Sequence, residues 1–276
     1  MATFAIAIIT QKIPEKLRWI PLIVVAICLI PVASWTVRSH PNQYIYFNEF
    51  AGGLEGAYGK YDLDYYHNSG KQLADWVREN AQKKADGSKL IVLSNMDGMD
   101  YYFRNDTSWI VSGYGRYYER GQLDWDYYIT FGRFVSPWQL ENGKWPPANA
   151  VHTLTIDEIP IGTVLHKKSK ASVAAYKALN NKQFDTAVNL YAQYLKEDAS
   201  DEMVWLNYAI ALASTGRIDE SIQAAQNAIK LSYDNAQLHQ VLAQLYAAKG
   251  DQAAADKANY EAQMIIMRQQ EYLPRN

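Results

Sequence analysis

The feature that most constrains this chain is an internal step of 34 residues in its last third. Gly216 and Gly250 stand 34 positions apart, and Phe184, Ile218 and Gln252 fall on the same step. A fixed period of this length requires a structure built from repeated supersecondary units, each too small to bury its apolar face alone. Between the markers the pattern is alanine-rich, with large and small residues recurring at helical spacing. Trp205, Tyr208, Ala209, Leu212, Ser221 and Ala228 define it in the middle unit. Ala174, Ala175, Ala187 and Tyr191 echo it before, and Leu242, Ala243, Tyr246, Ala255 and Ala262 after.

This arrangement of large and small packing positions resembles the tetratricopeptide repeat, a helix–turn–helix unit whose first helices line a concave surface. The resemblance implies about three repeats in residues 169–276, with first helices near Val173–Leu179, Val204–Ala213 and Leu238–Ala247. It also implies protein or peptide partners. With Trp205 packed between helices, the inward positions are Tyr176, Asn207, Ile210, Gln240 and Gln244. That surface is neutral and amide-rich and lacks the basic residues that clamp a terminal carboxylate, so an internal peptide segment or a helix is the expected occupant.

The opposite end of the chain sets a second constraint. From Ile20 to Val37 no side chain is charged. At ~1.5 Å rise per residue such a run can just cross a hydrocarbon layer of roughly 30 Å. Trp19 and Trp35 flank it, and Lys12, Lys16 and Arg18 precede it whereas Arg38 alone follows closely. The positive-inside bias then places the N-terminus in the cytoplasm and the bulk of the chain outside, in an inner-membrane, single-pass, periplasmic arrangement. Residues 1–39 are expected to hold the cytoplasmic N-terminus and transmembrane helix, with the apolar stretch Met1–Thr10 as the tail of an earlier span. Val32-Ala33-Ser34 leaves a signal-peptide reading open.

Directly after the run come His40-Pro41-Asn42-Gln43-Tyr44-Ile45-Tyr46-Phe47-Asn48-Glu49, then Gly52-Gly53-Leu54-Glu55-Gly56-Ala57-Tyr58-Gly59, then Asp62-Leu63-Asp64-Tyr65-Tyr66. Such a segment is expected to lie at the membrane surface. It resembles the end of bacterial membrane glycosyltransferases of the dolichyl-phosphate-mannose-protein mannosyltransferase type. That resemblance covers roughly Trp19 to Lys168 and implies motif positions Tyr46, Asn48, Gly52, Gly53, Tyr58, Asp62 and Asp64. It also implies a possible lipid-linked sugar or membrane glycosyltransferase subunit as partner. The early exoplasmic acidic loop of those enzymes has no counterpart here, so the chain looks like their C-terminal part or a split relative.

Residues 40–168 carry short apolar runs at Lys89–Ser94, Ser108–Ser112, Tyr127–Phe131, Val151–Ile156 and Thr163–His166, with helical patterns at Gly70–Gln82 and Met99–Phe103. A small α/β sandwich follows from that alternation. The fold expected overall is a membrane-anchored α+β chain with a transmembrane helix, a small α/β domain and an all-α tetratricopeptide-type array. Chemistry is sparsely marked. Asp62, Asp64 and His67 are the one grouping suited to acid–base work or a cation, and the reading preferred for them is a polar turn leading into the helix Gly70–Gln82. Phosphate-loop, dinucleotide, zinc-hydrolase and serine-hydrolase motifs are absent, so no cofactor is expected. The single cysteine, Cys28, excludes a disulfide framework or thiolate metal site, and a net charge of −2 gives no basis for nucleic-acid binding. Tyr101-Tyr102, Tyr117-Tyr118 and Asp124–Tyr128 offer rings suited either to sugar stacking or to core packing.

Overall fold

The computed structural model describes residues 13–271, in two compact units divided after Gly53. The apolar segment Met1–Thr10 lies outside the described residues. In the first unit, helix α1 (Ile20–Arg38) holds almost every apolar side chain exposed and, by length and composition, is a candidate for crossing a membrane. Trp35 is the exception. Its indole Nε1 donates to the Gln43 carbonyl at 3.1 Å and its ring packs on Tyr46, so the segment after α1 folds back over the helix end.

The second unit opens with a mixed sheet. Strands β1 (Leu90–Ser94), β2 (Ile110–Tyr114), β3 (Tyr127–Phe131), β4 (Ala150–Ile156) and β5 (Ile159–His166) lie in the order β2-β1-β3-β5-β4. The first three pair in parallel, and β3-β5-β4 run antiparallel. Central strand β3 is buried at all five positions, as a strand covered on both faces must be. One face is covered by α2 (Ser69–Asn80) and α3 (Asp100–Phe103), through Leu73, Ala74, Val77 and Phe103. Gly162 on β5 permits this approach, because a Cβ there would stand 2.6 Å from Leu73 Cδ1. The other face carries Trp125, Tyr128, Trp145 and Leu165 and is covered by loops and the short helix α4 (Pro137–Glu141). The expected sandwich thus has its longer helix on one side and mostly loops on the other. Half of the paired tyrosines are buried packing residues, Tyr117, Tyr127 and Tyr128, whereas Tyr101 and Tyr118 are exposed.

Three antiparallel helix pairs follow: α5 (Ala171–Asn180) with α6 (Phe184–Glu197), α7 (Glu202–Ser214) with α8 (Ile218–Leu231), and α9 (Ala236–Lys249) with α10 (Gln252–Glu271). Each successive helix packs on the one before, and alanines at 187, 209, 211, 225 and 243 bring the axes close. Gly216 and Gly250, with φ of 81° and 87°, occupy the left-handed conformation that closes a helix and starts its partner. Asp201 and Asn235 cap α7 and α9 with their carboxylate and amide oxygens. The chain is therefore mostly a helical, tetratricopeptide-like array carrying a small mixed sheet.

Candidate protein-binding groove and the joint that holds it

The first helices of the pairs are α5, α7 and α9, within about two residues of their expected starts. The residues expected to line the groove divide into three kinds. Gln240 and Gln244, one turn apart on α9, are exposed. Tyr176 on α5 and Ile210 on α7 are half-buried, Ile210 packing beside Met203, Leu206 and Leu238. Asn207 departs from expectation, since only 8% of it is exposed. It approaches the Tyr191 hydroxyl of α6 without completing a hydrogen bond. Asn207 is thus buried between helices, and of the polar residues expected at the groove Gln240 and Gln244 on α9 are the exposed ones.

Sequence reasoning missed how the array is fixed to the sheet. Arg120, in the loop before β3, is 2% exposed and enters a pocket of carboxylates and carbonyls. It donates to Glu202 Oε2 at 2.8 Å, to the Tyr117 carbonyl at 2.9 Å and to the Ser200 carbonyl at 3.2 Å. Its Nε stands 3.5 Å from Asp201 Oδ2, and its guanidinium lies 3.9 Å from the centre of the Tyr117 ring. The same Asp201 carboxylate accepts from the Met203 and Val204 amides. The cap that starts α7 is thereby the point where the sheet domain holds it. Buried Lys167 closes the cluster from the other side, donating to the carbonyls of Arg120 and Leu123 and to Ser172 Oγ at 3.0–3.3 Å. Burial raises the Asp201 carboxyl to about 6 against the pull of Arg120, and burial lowers Lys167 to about 8. Gly121 lets the loop come this close, because a Cβ there would stand 2.5 Å from Val204 Cγ2. A second contact, from Ser136 to Asp234 and from Gln139 Nε2 to the Leu231 carbonyl at 3.1 Å, secures the next pair. No local pattern marks these partners, which lie some 80 to 98 positions apart in sequence.

The motif residues that follow α1 are occupied structurally. Asn48 Oδ1 accepts the Ala51 amide at 3.0 Å, and Gly52 and Gly53 turn the chain with φ of 78° and 64°. Tyr46 packs on Trp35. Tyr58 has a buried hydroxyl raised to about 12 by burial. Asp64 is buried and accepts the Asn68 amide at 3.0 Å, the Ser69 amide at 3.3 Å and the Ser69 hydroxyl, so it caps α2. Asp62 pairs with Arg133 at 3.4 Å. His67 stacks on Phe134 with centroids 5.3 Å apart; burial lowers its pKa, opposed by Asp64. The grouping suited to acid–base work is thus spent on a helix cap, an ion pair and a ring stack. Among the described residues no cluster of three or more ligating side chains suits a metal ion.

Residues 178–245 match the tetratricopeptide repeat family, the span running from the end of α5 into α9. Comparison with curated proteins gives no match. Solved structures of MamA are similar in part. MamA of MSR-1 is 23% identical over 36% of this chain and 57% of that one, with a TM-score of 0.36. A MamA of AMB-1 is 22% identical over 36% of this chain and 58% of that one, with a TM-score of 0.35. This chain thus spans less than two thirds of either MamA.

Proposed function

We propose that the chain is a membrane-anchored, exoplasmic protein-interaction module, single-pass with its N-terminus in the cytoplasm, that is not catalytic by itself. The observation carrying this reading is the tetratricopeptide array with Gln240 and Gln244 exposed on a first helix beside the half-buried apolar Ile210. Amide side chains offer a donor and an acceptor each and so can pair with a peptide backbone whatever its sequence. The charge asymmetry around α1 and its exposed apolar surface support the anchor. A photo-crosslinking amino acid placed at Gln240 or Gln244 in native membranes is expected to yield a discrete adduct, with Asp219, on the second helix of a pair, as control. Adducts at Asp219 but not at 240 or 244 would place docking on another surface.

A second reading, a terminal portion of a polyprenyl-phosphate-sugar transferase that positions an acceptor, rests on the motif from Tyr46 to Asp64. In this chain those residues cap, turn and pair, which supports a scaffold role in either reading. The purified chain is accordingly expected to transfer no sugar from a polyprenyl-phosphate donor. Turnover abolished by Asp62→Asn would return the acidic turn to chemistry.

A further inference from the structure

At one corner of the second unit, four aromatic rings come together on the face of the sheet that α2 covers. Tyr127 of β3 and His166 of β5 are register partners and stack with centroids 4.8 Å apart. Trp76 of α2 stacks on His152 of β4 at 5.0 Å, with the ring planes 5° from parallel. Beside these pairs, under residues 80–84 that follow α2, lies a cleft of about 580 Å³. Trp76, Tyr127 and His166 line it together with the exposed amides Asn80 and Gln82. Sites for small molecules run to roughly 300–1,000 Å³, so the cleft has room for a ligand the size of a sugar ring. None of these residues lies in α1 or on the first helices of the array, so recognition here is independent of the anchor and of the groove.

The polar groups of the cleft are unspent. Tyr127 is only 7% exposed, yet its hydroxyl makes no hydrogen bond among the described residues and is not sealed from solvent, so it opens on the cleft. The His166 ring nitrogens, Trp76 Nε1 and the Gln82 amide likewise make none, and Asn80 spends only its Nδ2, on the Trp76 carbonyl at 2.9 Å. Charge, by contrast, is committed. Lys84 pairs with Asp126 at 2.8 Å, Asp126 also takes Lys170 at 3.0 Å, and the Lys83 ammonium lies 5.2 Å from the centre of the Trp109 ring. Burial, helped by Lys168 and opposed by Asp126, lowers His166 below the ordinary histidine value, so near neutral pH its ring offers one donor and one acceptor.

We infer that this cleft binds a neutral carbohydrate, one face of a pyranose ring lying on the aromatic corner and its hydroxyls taken by Tyr127, His166, Asn80 and Gln82. The C–H face of such a ring is apolar and suits a flat aromatic side chain with a polar rim. Its hydroxyls each donate and accept, which matches uncharged amide, phenol and imidazole groups. A phosphate would have to draw Lys84 away from Asp126 and leave that buried carboxylate with one cation fewer.

The test is saturation-transfer NMR on the full chain, held in a detergent without a sugar headgroup. The probes are the methyl glycosides of glucose, mannose, galactose and N-acetylglucosamine, with glucose 1-phosphate as the charged comparator. At least one neutral glycoside is expected to receive saturation, strongest on the C–H protons of one ring face. Trp76→Ala should abolish that signal. Tyr127→Phe removes a hydroxyl that bonds to nothing in the fold, so its melting midpoint should stay at the wild-type value. Its affinity for the same glycoside should fall roughly three- to tenfold, the loss of one hydrogen bond. No saturation of any neutral glycoside, or saturation of glucose 1-phosphate alone, would overturn the inference. An affinity unchanged in Tyr127→Phe would place the sugar elsewhere and overturn it as well.

Discussion

Replacing Arg120 with methionine is expected to destabilise the second unit by about 3–5 kcal/mol, the cost of leaving buried carboxylates without their cation. Asp201 and Glu202 lie 3.5 and 2.8 Å from the guanidinium, both buried, and the carbonyls of Tyr117 and Ser200 lose their donor as well. In a unit of this size the loss corresponds to roughly 10 °C in the melting midpoint. Trp125, whose Nε1 donates to the Arg120 carbonyl at 2.7 Å, contributes to the tryptophan fluorescence that follows the transition. Loosening of the joint should also open the connection between β5 and α5 to trypsin at Lys168 and Lys170, both exposed. Charge, not volume, sets the effect, so Arg120→Met combined with Asp201→Asn and Glu202→Gln should recover much of the stability. A triple variant as unstable as the single one would show that the arginine acts through packing and its carbonyl bonds.

The helical array and the sheet were legible in the sequence to different depths, for physical reasons. Helices α5 to α10 repeat a contact pattern every 34 residues, so Gly216, Gly250 and the alanines between them report the same local geometry. Strand β3 was readable to the residue, because Tyr127–Phe131 is buried on both faces and bounded by polar turns. Strand β5 runs longer than its expected Thr163–His166. It starts at Ile159, where Asp157 and Glu158 make a hairpin turn with φ of 45° and 67° that carries no glycine to announce it. Pro160 is tolerated there beside a register shift in β4. Asn207, expected at the groove, is buried in the structure, because periodicity gives which residues share a face but not how far each helix is rotated in the stack. Asp201 was unreadable as an ion partner, since Arg120 reaches it from a distant loop, the one before β3. Non-local polar contacts leave no periodic trace.

The buried charges at the joint give it a pH dependence that can be separated from the rest of the chain. Burial raises the Asp201 carboxyl from 3.8 to about 6, with Arg120 opposing and Glu202, Asp198 and Lys167 also acting on it. Between about pH 4 and 6 the folded protein therefore keeps a proton that the unfolded chain has released, and stability falls as pH rises through this window. Full ionisation by pH 7 removes on the order of 3 kcal/mol relative to pH 4. Lys167 acts with the opposite sign and higher up. Burial lowers it from 10.5 to about 8, so from about pH 8 to 10.5 the unfolded chain holds the extra proton and stability rises with pH. His67, His152 and His166, lowered by burial, oppose the Asp201 effect near pH 6, so the wild-type curve alone mixes these signs. Asp201→Asn isolates the carboxyl, because an asparagine oxygen still caps the Met203 and Val204 amides of α7 while losing the titration. Denaturant unfolding of both proteins across pH 4 to 7, followed by tryptophan emission, should show the wild type losing stability relative to Asp201→Asn as pH rises. A difference that stays flat over this range would mean that Arg120 holds Asp201 ionised throughout, and the joint would then be a fixed ion pair without a proton of its own.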